Sequence, residues 1–277
     1  MVFNRGWLSG FAFWTAVGLV SAACAKVPVT GRKQINMIPD SIMIGLGRSQ
    51  WTETIRASRV TRKGADAETL RAVGHRISKV ANRPDYEWRY ALIDEPEVNA
   101  WCLPGGYIGL YTGILPILKN EAGMAFVVGH EVGHAVARHG GERLSQQLAI
   151  LGGLAGVGLY LEGKEKMTNT QRGIVLGALG AGAELGIALP FSRRHEAEAD
   201  TIGLMFMAGA GYPPEESIKV WDRMTELAGP QKLPTFLTTH PSNEKRQKNL
   251  REWMPRAKKR FQRNRQDRET LKTLWKT

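Results

Sequence analysis

The chain has 277 residues, 43% of them hydrophobic and 23% charged, which excludes an intrinsically disordered polypeptide and leaves room for one well-buried core with appendages. A formal net charge of +12 suggests nucleic acid until it is located: residues 245–277 hold 13 Lys and Arg against 3 Asp and Glu, so +10 of the +12 sits there and the rest is nearly neutral. Two cysteines, Cys24 and Cys102, do not make a disulfide framework.

The first residues carry Arg5, an apolar stretch from Phe11 to Val20, and the small residues Ser21, Ala22 and Ala23 ahead of Cys24. That order reads as a secretory signal over 1–23, because the apolar run is shorter than the ~20 residues a spanning helix needs. A cysteine directly after small residues resembles the lipobox of bacterial lipoproteins. The resemblance implies a lipidated Cys24 as the first mature residue and, with Ala25 after it, a periplasmic protein anchored to the outer membrane.

Residues 26–38, "KVPVTGRKQINMI", read as a polar linker, and Pro-Asp-Ser at 39–41 as a helix start. Helices are expected over 41–58 and 65–81. The β-branched and aromatic stretches 87–94 and 105–113, bounded by Pro and Gly, are expected to pair as a small sheet. Asn120 is a good N-cap for a helix over 121–139, with Gly140-Gly141 as its stop. The Gly-, Ala- and Leu-rich segments 148–161 and 173–191 suggest a helical hairpin. Glu184 and Pro190 in its second arm argue for peripheral contact with a bilayer over a membrane span. Further helices are expected over 193–208 and from about Pro214. Helix, short strands, then helices is an α+β order without βαβ alternation. The domain plan is thus 1–23 signal, 24–62 linker and helix, 63–253 a main domain, and 254–277 a basic tail. With export expected, nucleic acid is set aside, and the tail reads first as a solvated terminal helix and second as a basic helix that touches a membrane surface.

Within "VVGHEVGHAVARHG", residues 127–140, His130 and His134 lie about 40° apart on one helical face, so two imidazoles can reach one ion. Glu131, rotated ~100° from His130, can reach a water at that ion without being a ligand itself. Apolar flanks make this a buried helix, where unpaired His and Glu would be costly, so a zinc site is the economical reading. A metzincin would need Gly at 137 and His at 140, and the chain has Ala137 and Gly140. His139 falls ~180° around the helix from His130 and cannot share its metal. The third ligand is therefore sought in "SRRHEAEADTIG", 192–203. Glu196 and Asp200 share a face there, so one can ligate while the other bonds a ligand imidazole. His195 and Glu198 point elsewhere and read as surface charges.

His130-Glu131-Val-Gly-His134 followed by Glu196-Ala-Glu-Ala-Asp200 resembles the HExxH…ExxxD signature of gluzincin zinc metallopeptidase family forty-eight. "NAWCLPGGYIGLYTGIL" (99–115) is similar to the family's edge strand and turn, and "THPSNEKR" (239–246) to its His-Pro…Arg element. The resemblance covers roughly 65–252 and implies a mostly helical α+β zincin (minigluzincin-like) fold with a small sheet. It implies one Zn2+ on His130, His134 and Glu196, Glu131 as general base, and Asp200 orienting an imidazole. His240 and Arg246 would approach the metal or the tetrahedral oxyanion, His240 in some relatives capping the zinc.

Two whole-protein functions follow. One is a zinc endopeptidase acting on unfolded or misassembled polypeptides in cell-envelope quality control, with strand 106–111 pairing to the substrate backbone. The other is a chaperone for outer-membrane proteins that uses the zinc domain as a clamp. Cys102 reads as a small buried thiol.

Overall fold

The computed structural model describes residues 24–147, 192–227, 235–241 and 244–274. The signal segment and the helical hairpin expected at 148–161 and 173–191 fall outside the described residues. The chain order is β1 (Cys24–Lys26), β2 (Lys33–Ile35), α1 (Asp40–Ala57), β3 (Val60–Thr61), α2 (Ala65–Ala81), β4 (Arg89–Ile93), β5 (Ala100–Leu103) and β6 (Tyr107–Tyr111). There follow α3 (Leu115–Leu118), α4 (Glu121–Val136), α5 (Arg193–Gly209), α6 (Glu216–Leu227), α7 (Thr235–Thr239) and α8 (Glu244–Leu274). The α+β expectation holds: helices dominate around one small mixed sheet. The expected linker instead forms an antiparallel hairpin, Cys24 pairing with Ile35. The boundary expected at 253/254 lies inside α8.

The sheet order is β3-β4-β6-β5, with β4 and β6 parallel and the other pairs antiparallel. Side chains alternate across it as a period of two requires. Ala91, Ile93, Trp101, Leu103, Tyr107 and Tyr111 share a cluster with Ile38, Met43 and Leu144, while Leu92, Cys102, Ile108 and Leu110 join the main core around α2, α4 and α5. Each face is thus covered by helix, and the sheet residues read as continuous apolar runs because both faces are buried. Strand β6 lies between β4 and β5, so the segment expected as the exposed substrate-binding edge is internal. The edges are β3 and β5, of which β5 is the strand that packs against α4.

Helix α4 starts where its cap dictates: the Asn120 side chain accepts from the Gly123 nitrogen at 2.9 Å. It stops earlier than the Gly pair suggests. The C-cap is Ala137, and Arg138 takes a left-handed conformation at φ 58°, held by its Nη2 on the Ile38 carbonyl at 2.9 Å and an ion pair with Asp40 at 2.7 Å. A second helical segment then runs through residues 139–147, with Gly140 and Gly141 in its first turn. Helix α5 is capped by the Ser192 hydroxyl, which accepts from the His195 nitrogen at 3.2 Å. Among the described residues no helix is long and apolar enough to cross a membrane.

Helices α4 and α5 approach closely because glycine faces glycine: a Cβ on Gly129 would stand 3.0 Å from the Gly203 oxygen, and one on Gly203 only 2.7 Å from the His130 nitrogen. Glu196 lies seven residues before Gly203, on the same face of α5. The glycine contact therefore sets how near Glu196 comes to His130 and His134.

Candidate metal centre

The residues brought together are His130, His134, Glu196 and His240, four buried groups whose ligand atoms lie within 4.8 Å of one another. Nε2 of His130 and Nε2 of His134 are 3.1 Å apart. Glu196 places Oε2 3.5 Å from the first and Oε1 3.4 Å from the second. His240 Nδ1 is 3.3 Å from His130 Nε2 and 3.1 Å from Glu196 Oε1. With Zn–N and Zn–O bonds of ~2.0–2.2 Å, ligands of a tetrahedral ion stand ~3.3–3.5 Å apart, so this cluster has the spacing of a tetrahedral zinc site. The donor chemistry agrees, since imidazoles and one carboxylate suit zinc.

Glu131 lies beside the cluster, 3% exposed, with Oε1 accepting no hydrogen bond among the described residues and His240 Nε2 3.6 Å away. Burial pushes its carboxyl above the ordinary glutamate value, the nearby histidines pulling only partly the other way. Burial would raise Glu196 too, but His240, Arg246 and His134 around it hold it well below the ordinary range.

Behind His130, Asp200 Oδ1 stands 3.0 Å from Nδ1, the position expected of the carboxylate that orients a ligand ring. Arg246 is 1% exposed and forks onto Asp200, Nε to Oδ2 at 2.6 Å and Nη2 to Oδ1 at 2.8 Å. Its Nη1 reaches Glu196 Oε2 at 2.7 Å and the carbonyls of His240 and Pro241 at 3.2 Å, and its guanidinium lies 4.1 Å over the Trp221 ring. These contacts turn Arg246 towards the carboxylates and the 240–241 backbone, in a bidentate geometry that lysine could not copy.

Behind His134 stands a residue the sequence reading set aside. The left-handed turn at Arg138 swings His139 back, so its Nδ1 lies 3.0 Å from Nδ1 of His134 and its Nε2 3.0 Å from Glu198 Oε2. His195 and Glu198, expected on the surface, are 1% and 7% exposed. His195 stacks on His139 with ring centroids 4.3 Å apart and reaches Glu142 Oε2 at 3.1 Å. Burial pushes His139 down to about 4 despite Glu198. Burial alone would raise Glu142 and Glu198, but hydrogen bonds from His195 and Arg32 to the first, and from His139, Thr30 and Arg32 to the second, bring both down to about 2. The turn gave no sequence sign, since Arg138 is not glycine.

Strand β5 helps line the cleft at this cluster: Trp101 and Cys102, with Pro104 just after the strand, line it together with Glu131, His134 and His240, and Asp40 and Arg138 also contribute. The space inside is about 20 Å3, enough for a water. Cys102 is a free buried thiol, its pKa raised well above the ordinary value by burial and by Glu131 nearby, and it is not part of the metal cluster.

The model of peptidase family M48 matches residues 65–254. The chain belongs to peptidase family M48. Among M48 relatives, the mitochondrial metalloendopeptidase OMA1 of Schizosaccharomyces pombe is 37% identical over 185 residues, 66% of this chain and 51% of the relative. That of Arabidopsis thaliana is 42% identical over 165 residues, 59% of this chain and 31% of the relative. The beta-barrel assembly-enhancing protease of Yersinia pestis is 27% identical over 179 residues, 64% of this chain and 36% of the relative. The chain thus spans only about a third to a half of the length of these M48 relatives. The comparison corrects the expected location. The relatives at 37% and 42% identity are mitochondrial, whereas the bacterial one stands at 27%, so a periplasmic lipoprotein of the outer membrane is not upheld. Small residues before a cysteine are too short a pattern to carry a location.

Proposed function

We infer that this M48 chain is a zinc-dependent endopeptidase with His130, His134 and Glu196 as ligands and Glu131 as general base. The carrying observation is Glu131: a buried carboxylate with an oxygen that accepts no hydrogen bond among the described residues, its pKa raised, placed against a candidate ligand set of zinc spacing. Zinc held there would polarise a scissile carbonyl and lower the pKa of a water towards ~7. Glu131 takes the proton from the attacking water and returns it to the leaving amine, work for which a pKa above that of a free glutamate is suited. Asp200 and Arg246 act through the ligands: Asp200 orients His130, while Arg246 fixes Asp200, Glu196 and the backbone at His240.

Under this reading His240 is the fourth ligand of a resting, closed site. Its Nδ1 sits at ligand spacing and the cleft holds no more than a water. Cleavage then requires His240, on the turn after α7, to withdraw. The edge position of β5 supports extended polypeptide as substrate, because a strand edge pairs with a backbone whatever its side chains. Surveillance of unfolded or misassembled chains follows from that tolerance.

The test is zinc content together with casein cleavage, for the wild type and Glu131→Gln. One zinc per chain in both, with cleavage by the wild type only, is expected. Cleavage retained by Glu131→Gln would remove Glu131 from the mechanism, and absence of zinc would remove the reading altogether.

A further inference from the structure

The family match begins at residue 65, yet the network behind His134 is completed by the hairpin that precedes it. For His134 to offer Nε2 to a metal, its Nδ1 must carry the proton and find an acceptor. His139 Nδ1 is that acceptor at 3.0 Å, which leaves the proton of His139 on Nε2, 3.0 Å from Glu198 Oε2. One proton assignment with neutral rings satisfies both contacts: His134 donates to His139, and His139 donates to Glu198.

Glu198 is then fixed from the hairpin, by the Thr30 hydroxyl at 2.5 Å and Arg32 Nε at 2.7 Å. The same guanidinium holds Glu142 through Nη1 at 3.2 Å and Nη2 at 2.9 Å. Two buried carboxylates thus share Arg32, and its loss would leave charge with too little compensation inside the protein. Beside it, the Gln34 amide donates to the Ala137 carbonyl at 2.8 Å and that of Asn36 to the Arg138 carbonyl at 3.2 Å. The Ala137 carbonyl at the C-terminus of α4 lacks a partner within the helix, so Gln34 of the hairpin caps the end of α4 that carries His134.

We propose that the β1–β2 hairpin is a working part of the metal centre, in which Arg32, through Glu198 and His139, positions the His134 ring for zinc. Arg32 is a positioning residue. His130 has its carboxylate directly behind it in Asp200, whereas His134 has one relayed through a second imidazole and anchored from outside the family match. The inference rests on the zinc-site reading above.

The experiment measures zinc release to a colorimetric chelator from the full-length chain, with thermal midpoints of the zinc-free and zinc-loaded forms and kcat and KM on casein. Arg32→Gln and Glu198→Gln should each release zinc ten- to a hundredfold faster, the range usual for losing a group behind a ligand, with kcat lowered and KM nearly unchanged. The pair together should be little worse than Glu198→Gln alone, because both act through one chain of contacts. Arg32→Lys should recover part of the loss. Should the larger changes prevent folding, Thr30→Val removes only the hydroxyl, with its bond to Glu198 and a long one from the Arg32 nitrogen, and is expected to speed release by a few fold. Equal falls in both thermal midpoints with zinc release within twofold of the wild type would overturn the proposal and leave the hairpin a purely structural element. A wild type that holds zinc but cleaves nothing would count against the peptidase reading, while the release rates still decide the relay.

Discussion

Gly203→Ala puts one methyl group into the closest contact between α4 and α5. The added Cβ would lie 2.7 Å from the His130 nitrogen, 2.9 Å from its Cα and 3.0 Å from the Gly129 carbonyl carbon. Ordinary contact begins near ~3.4 Å, so the helices must separate by roughly 0.5 Å, and no flexible side chain is present to yield. Overpacking of this kind costs about 1–3 kcal/mol, partly offset by the ~1 kcal/mol that alanine gains over glycine within a helix. Folding should therefore survive with a net loss of ~0–2 kcal/mol. The site fares worse, because metal–ligand distances tolerate only ~0.2 Å and the shift moves Glu196 away from both histidines. We expect zinc affinity to fall at least tenfold and casein cleavage to fall towards a hundredfold, as small misplacements of catalytic groups usually produce. Gly45→Ala is the control: it sits in α1 with nothing within 4 Å of the added methyl, and should slightly raise the thermal midpoint without touching zinc. A folded Gly203→Ala protein with zinc affinity and cleavage within twofold of wild type would refute the argument that this glycine contact sets the ligand geometry.

The acid limb of kcat/KM should lie above the range of an ordinary glutamate, because burial raises the Glu131 pKa and the base works only when ionised; a limb near pH 4 would deny it that role. His240→Ala should still bind one zinc per chain through three ligands and should not lower casein cleavage; a fall to the level of Glu131→Gln would show that His240 serves the reaction and does not close the site. Glu142 and Glu198 titrate at about 2 in the folded protein, against ~4.3 when unfolded. Their contribution to stability is full above pH ~4.5 and is lost as pH falls towards 2, so zinc-free Glu142→Gln/Glu198→Gln should show a flatter fall in thermal midpoint across that window, by roughly 1–2 kcal/mol per group. Asn120→Ala removes the cap of α4 and should cost about 1 kcal/mol in urea unfolding, with no effect below a few tenths if the cap is unimportant.

Much of the framework is local and therefore legible in the chain. The expected helices 41–58 and 65–81 form over Asp40–Ala57 and Ala65–Ala81, and Asn120 caps α4, because apolar spacing and capping chemistry act within a few residues. The candidate ligands were legible in part for a similar reason: four-residue spacing on a helix places His130 with His134 and Glu196 with Asp200 wherever those helices go, while only the family resemblance implied Glu196 over Asp200 as the ligand. Strand β5 drew no expectation of its own from composition, because its four residues are all buried and show no alternation.

Local spacing and motif thus supply most of the groups that can hold zinc and the helices that carry them. Tertiary structure alone decided how those helices meet and what stands behind them. A left-handed Arg138, stabilised by the Ile38 carbonyl and Asp40, carries no glycine to announce it, yet it redirects His139 from the far side of a continuous helix onto His134. Glu198 and His195 look like surface charges on α5, yet both are buried, against His139 and beside a hairpin more than 150 residues earlier whose Arg32 neutralises Glu198 and Glu142. Contacts of that range leave no periodic trace, since spacing along a chain records the face of a helix and not the partner that covers it.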